Sequence, residues 1–191
     1  MGLLDTLLGR TKPKQPNLDS LFSLPSAAIT LQAATDLVPT GTGSVCFSAA
    51  EGRAFKDVET EVRELLDSSA KDAPPIEVTK DSYGYTWLVV RRPADQLDSL
   101  VTDVHAVNAA LADNGFGPQL LCSLVNFARP GNRLAVVYLY KRGTFYPFAP
   151  TGRETRDNGL EVRVKGVLQD ELKIEPELTR WFPVWDAPGL K

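Results

Sequence analysis

The sequence predicts an α+β fold: one domain in which several helices pack on an antiparallel, meander-rich sheet, preceded by a short amphipathic N-terminal segment. Three observations predict it. "QLLCSLVNF" (119–127), "LAVVYLY" (134–140) and "FYPFAP" (145–150) are apolar runs of strand length joined by the tight turns "ARPGNR" and "KRGT". Leu97, Leu100, Val101, Val104, Val107 and Leu111 form one helical stripe just before them. Glycine- and proline-rich breakers separate short segments along the whole chain.

In chain order, residues 1–16 read as an appendage, because Pro13 and Pro16 prevent helix continuation. Residues 17–191 then form the domain. A helix is expected from about Pro25 to Asp36, with Ser23 as its cap. "PTGTG" (39–43) reads as a breaker, and "SVCF" after it as a short buried strand. Phe55, Val58, Val62, Leu65 and Leu66 share a helical face between 54 and about 68, and "KDAPP" stops that helix. Ile76 and Val78 alternate with polar residues, "KDSYG" turns, and "YTWLVV" (85–90) returns, so the pair reads as a hairpin.

The clearest helix spans 94–113 and stops at Gly115. "QLLCSLVNF" is apolar on both faces and is expected to be central in the sheet. Pro147 marks "FYPFAP" as an edge strand. Residues 160–168 fit both a period-two strand and a helix; Asp157, a ready cap, favours the helix. "EPELTRWFPVWDAPGL" closes the chain as a turn of helix and an aromatic extended segment.

Composition narrows the function. The chain has 191 residues, 43% hydrophobic and 24% charged, with a net charge of −3, and a pI near 5.3. Acidic and basic residues are interleaved, which argues against a nucleic-acid partner. No apolar run reaches the ~20 residues that span a bilayer, and the leucines at the start lack the basic flank of a secretory signal. Cys46 and Cys122 sit in separate apolar runs and read as buried thiols of a reducing cytoplasm.

Catalytic chemistry is sparse. His105 is the only histidine and falls at the rim of its helix stripe. With no second histidine or cysteine pair at ligand spacing, neither a metal nor a cofactor is expected. "GTGS" (41–44) lacks the lysine and the spacing of a phosphate loop. A Cys122–His105 pair is formally available, but burial would leave that thiol inert. No catalytic residue and no small-molecule substrate is assigned.

Three features do carry weight. Asn108 falls inside the apolar stripe of its helix, where an unpartnered amide costs ~1–3 kcal/mol. It either ties the helix to a strand or floors a binding cleft. "LYKRGTFYPFAP" places Lys141, Arg142, Phe145, Tyr146 and Phe148 on the last turn and edge strand. With Trp181 and Trp185 these form a candidate partner surface, unless "RWFPVW" (180–185) covers the strand itself. At the N-terminus, Leu3, Leu4, Leu7 and Leu8 occupy one helical arc of roughly 140°, followed by Arg10, Lys12 and Lys14. Burying four leucines gains at most ~6–12 kcal/mol, close to the cost of ordering the segment at about 1–2 kcal/mol per residue. The segment is expected to be a conditional helix on an anionic membrane surface, on a partner, or on its own domain.

Together "MGLLDTLLGR", "LFSLPSAAITLQAAT", "YGYTWLVVRR", "VTDVHAVNAAL", "GFGPQLLCSLVNFA", "VVYLYKRGTFYPFAP" and "RWFPVWDAPGL" resemble the bacterial PspA-associated protein PspAB family, over nearly the whole chain. "MGLLDTLLG" is also similar to the amphipathic start of PspA-type proteins. The resemblance implies a companion of PspA, the coiled-coil protein that guards the inner membrane in envelope stress, but carries no catalytic motif. The expected function is a non-enzymatic adaptor of such a system, cytoplasmic or peripheral at the inner membrane face. A chaperone-like module holding an apolar peptide across its sheet is the alternative, and a small hydrolase a more distant one.

Overall fold

The computed structural model describes residues 17–48, 56–57, 60, 64 and 74–190. A 3-10 turn, Leu18–Ser23, leads into helix α1, Leu24–Thr35, and strand β1, Val38–Ser48. Strands β2, Glu77–Lys80, and β3, Tyr85–Arg91, form a hairpin ahead of the long helix α2, Leu97–Leu111. Then come β4, Leu120–Arg129, β5, Asn132–Leu139, and β6, Thr144–Phe148. A small hairpin of β7, Pro150–Gly152, and β8, Thr155–Arg156, precedes helix α3, Asn158–Leu168. The helix expected over 54–68 and the segment 1–16 lie outside the described residues, apart from 56, 57, 60 and 64, which are helical.

These elements make one α+β domain. The main sheet has the order β2–β3–β1–β4–β5–β6, and every pairing is antiparallel. β4 is central and buried on both faces, as its unbroken apolar run requires. Alternation along the strands divides the core in two. Val45, Phe47, Leu88, Val90, Val125, Phe127, Val136 and Tyr138 face the helices. Cys46, Trp87, Val89, Cys122, Leu124, Val137, Tyr146 and Phe148 face the other way, beneath Trp181, Ala187 and Leu190 of the C-terminal segment.

The glycine-rich breaker is not a break. "PTGTG" belongs to β1, which pairs from Val38 onward. Gly41 takes φ +77° where the register with β4 shifts between Pro39 and Gly43, which makes a bulge. Gly43 is there for contact, since a Cβ on it would lie 2.8 Å from Val104 Cγ2. The glycine lets α2 lie directly on the strand. Ser23 also differs from expectation: it precedes α1 but makes no side-chain cap hydrogen bond. Asp157 does cap α3, accepting from the Leu160 N–H at 2.8 Å.

The sheet's edges are managed differently. β2 is four residues long, and Glu77, Thr79 and Lys80 are exposed, which blunts further pairing. β6 is met by the chain itself. Phe145 donates its N–H to Lys173 O (2.8 Å) and accepts from the Glu175 N–H (2.7 Å).

Candidate functional site

The residues singled out along the sequence fall in different places. The leucines and basic residues of 1–16 lie outside the described residues. Asn17, where the described chain begins, is fixed at the β5–β6 turn: its carbonyl accepts from the Tyr138 hydroxyl at 2.9 Å. Burial pushes that phenol up to about 12. Lys141 and Arg142 are both exposed on the turn that follows β5.

The aromatic residues grouped with those two cations do not form an exposed surface. Phe145 packs towards the helices, its ring 5.0 Å from that of Tyr138. Tyr146 and Phe148 point to the opposite face, where Trp181 stacks on Tyr146 at 6.0 Å and Trp185 meets Phe148 edge-on at 5.0 Å. Phe145, Tyr146, Phe148 and Trp181 are buried and Trp185 is half-buried. The chain's own residues 181–190 cover Tyr146 and Phe148 of β6.

That covering segment has no regular structure of its own beyond a 3-10 turn at Leu178–Arg180, so its backbone groups need partners from the sheet. Tyr146 donates its hydroxyl to Phe182 O (2.7 Å), Arg156 donates to Trp181 O (2.8 Å) and Asn126 to Pro188 O (2.6 Å). Trp181 Nε1 donates to Glu175 O at 3.0 Å. Glu175 anchors the start of the segment. Burial alone would raise its carboxyl, but hydrogen bonds from Arg142 (2.5 Å), Thr144 (2.7 Å) and the Glu177 N–H hold it below the usual carboxylate range.

Asn108 ties helix to sheet. Its Nδ2 donates to Val104 O (2.8 Å) and to Ser123 Oγ on β4 (2.7 Å), while its Oδ1 is buried without a partner among the described residues. His105 stands at the helix rim, its ring tilted against Phe22 at 4.8 Å and its Nε2 3.3 Å from Asp19. Cys122 points to the other face, so the sheet separates it from His105.

Sequence reasoning missed the cysteine geometry. Cys46 and Cys122 are direct partners across β1 and β4, both reduced and buried. Hydrogen bonding to Cys122, with burial, pushes the Cys46 thiol up. Both thiols line a cavity of about 560 Å³ between the end of the sheet and Phe182–Trp185. A second cleft, about 1090 Å³, lies at the other end of the segment with Arg129, Arg133 and Arg153 on its walls. Its cations have acceptors or neighbouring acids: Arg129 donates to Thr35 O and Asn132, Arg133 to Gly189 O, and Glu154 and Asp186 share the wall. The apolar cavity is the better candidate site.

Among the described residues no group of three or more His, Cys, Asp and Glu could hold a metal ion, and no helix is long and apolar enough to cross a membrane. A family model described as PspA associated protein B matches residues 1–189. No curated protein and no solved structure matches the chain.

Proposed function

The chain belongs to the PspA associated protein B family, and we propose that it serves a PspA-type system as a non-enzymatic accessory protein, binding a PspA-like partner near the cytoplasmic face of the membrane. The family match carries this reading, and it includes the leucine pairs at the start of the chain. In this reading Leu3, Leu4, Leu7 and Leu8 supply the contact, and Arg10, Lys12 and Lys14 bias it towards an anionic surface.

The folded surfaces favour the adaptor over the two alternatives. A peptide laid across the sheet would have to displace either the helices or residues 181–190, whose hydrogen bonds are made to the sheet itself. A hydrolase using the Asn108/His105 region would draw on Asn108, whose amide N–H groups are spent on Val104 O and Ser123 Oγ, and on His105, which lies 3.3 Å from Asp19 at the helix rim.

Binding of the purified full-length protein to purified PspA from the same organism tests the reading. Leu4→Asp with Leu8→Asp is expected to remove binding to PspA and co-sedimentation with anionic liposomes while the melting temperature stays put. High salt is expected to weaken the liposome contact, since its basic component is screened. Wild-type protein that ignores both PspA and liposomes at low salt would sink the proposal.

A further inference from the structure

The C-terminal segment leaves a cavity over part of the sheet, and its lining is chemically uneven. The cavity of about 560 Å³ has Cys46, Trp87 and Cys122 in its wall, with Leu121, Leu139 and Tyr146 beside them. Its size falls within the ~300–1,000 Å³ of small-ligand sites. The polar side chains around it are nearly all engaged with the protein. Asp81 accepts from the N–H groups of Tyr83 (3.0 Å) and Tyr85 (2.9 Å) and from Trp87 Nε1 (2.9 Å). Tyr146 is committed to Phe182 O, and the Tyr83 hydroxyl donates to Glu154 at 3.1 Å. Arg142 is paired with Glu175. Lys141 lines the same cavity and makes no ion pair among the described residues.

We propose that this cavity binds a long-chain carboxylate, its hydrocarbon tail lying over the paired thiols and its carboxylate held by Lys141 at the mouth. The inference stands apart from the PspA reading and does not need it. Two features select the chemistry. A wall whose polar side chains are already satisfied rejects a polar body, because polar ligand atoms would lose water and gain no partner. Lys141 at the rim, without an ion pair among the described residues, favours a single negative charge over a neutral head. The thiols give the floor an apolar surface, and the Asp81 carboxylate in the same wall is turned to three N–H donors of the protein.

Titration of the full-length protein with the fluorescent fatty acid cis-parinaric acid, followed by displacement, reads the binding directly. Saturable binding is expected, with palmitate displacing the probe about tenfold better than hexadecanol, the advantage of a charge-assisted contact. Lys141→Glu is expected to remove that advantage and leave hexadecanol unchanged. Leu121→Trp and Leu139→Trp, two separate ways of filling the space, are each expected to abolish binding. A readout that needs no variant is alkylation of Cys122, which palmitate is expected to slow in the unmodified protein. No saturable binding, survival of binding in both filled variants, or equal loss of palmitate and hexadecanol in Lys141→Glu overturns the proposal. So does loss of binding in Leu4→Asp/Leu8→Asp with retention in Leu121→Trp, which would put the lipid on the N-terminal segment.

Discussion

The two faces of the sheet are closed by different means. On one, α1, α2 and α3 bring whole apolar stripes and their own internal hydrogen bonds, so the seam is continuous and needs few polar fasteners. Asn108 to Ser123, Arg92 to Asp103 and Glu161 to the Ala149 N–H are among its buried polar ties. On the other, residues 181–190 lie over aromatic side chains with little regular structure, so sheet side chains must satisfy the backbone of the cover. That cover fits over Tyr146 and Phe148 but leaves a cavity over Cys46 and Cys122. Closing a face with helices makes a core. Closing it with a strap leaves room for a ligand.

The strongest way to break the comparison is through the helical face. Arg92 and Asp103 form a two-bond pair (2.6 and 3.0 Å) with both side chains 9% exposed. Asp103→Ala strands the guanidinium and is expected to cost about 3–5 kcal/mol, read as a lower melting temperature for the whole domain. On the strap face, Trp181→Ala is expected to cost less, about 1–3 kcal/mol, because the segment can loosen locally without taking the sheet with it. Equal global losses for the two would erase the distinction.

Smaller changes sharpen it. Gly43→Ala drives a methyl group to within 2.8 Å of Val104 Cγ2, and a β-branched side chain in a helix cannot rotate aside. About 1–3 kcal/mol of destabilisation is expected, with Val104→Ala recovering part of it in a double-mutant cycle.

The helical face was largely legible in the sequence. The stripe from Leu97 to Leu111 and the two-sided run of β4 encode helix and central strand by period alone. The first half of β1 was not legible, because Thr40–Gly43 carries one glycine for a bulge and one for a close helix contact, and glycine reads locally as a turn. The strap face was legible only as a pair of options for "RWFPVW". Its cavity was hidden, since the walls come from residues 81–87, 121–122, 139–142 and 182–185, which only the sheet order brings together. The facing of Cys46 and Cys122 was hidden for the same reason: β1 pairs with β4, not with its neighbour in sequence.

Acid separates the faces with a gentler push. The Glu175 carboxyl lies lower in the folded protein than the ~4.3 of an unfolded glutamate. Its contribution is therefore complete above about pH 4.3 and is lost as pH falls through the folded-state value. Since Glu175 anchors Arg142, Thr144 and the start of the strap, the strap face is expected to loosen first on acidification. Tryptophan fluorescence should report Trp181 and Trp185 before far-ultraviolet dichroism changes, and Glu175→Gln should remove this step.

Native-state hydrogen exchange of the full-length protein, read by mass spectrometry, compares the faces most directly. The amides of 181–190 that donate within the strap, Ala187 and Leu190, are expected to exchange through a local opening well before those of α2 and β4, which should await global unfolding. Equal protection of the strap and of α2 would contradict it, making the second face as much a closed core as the first.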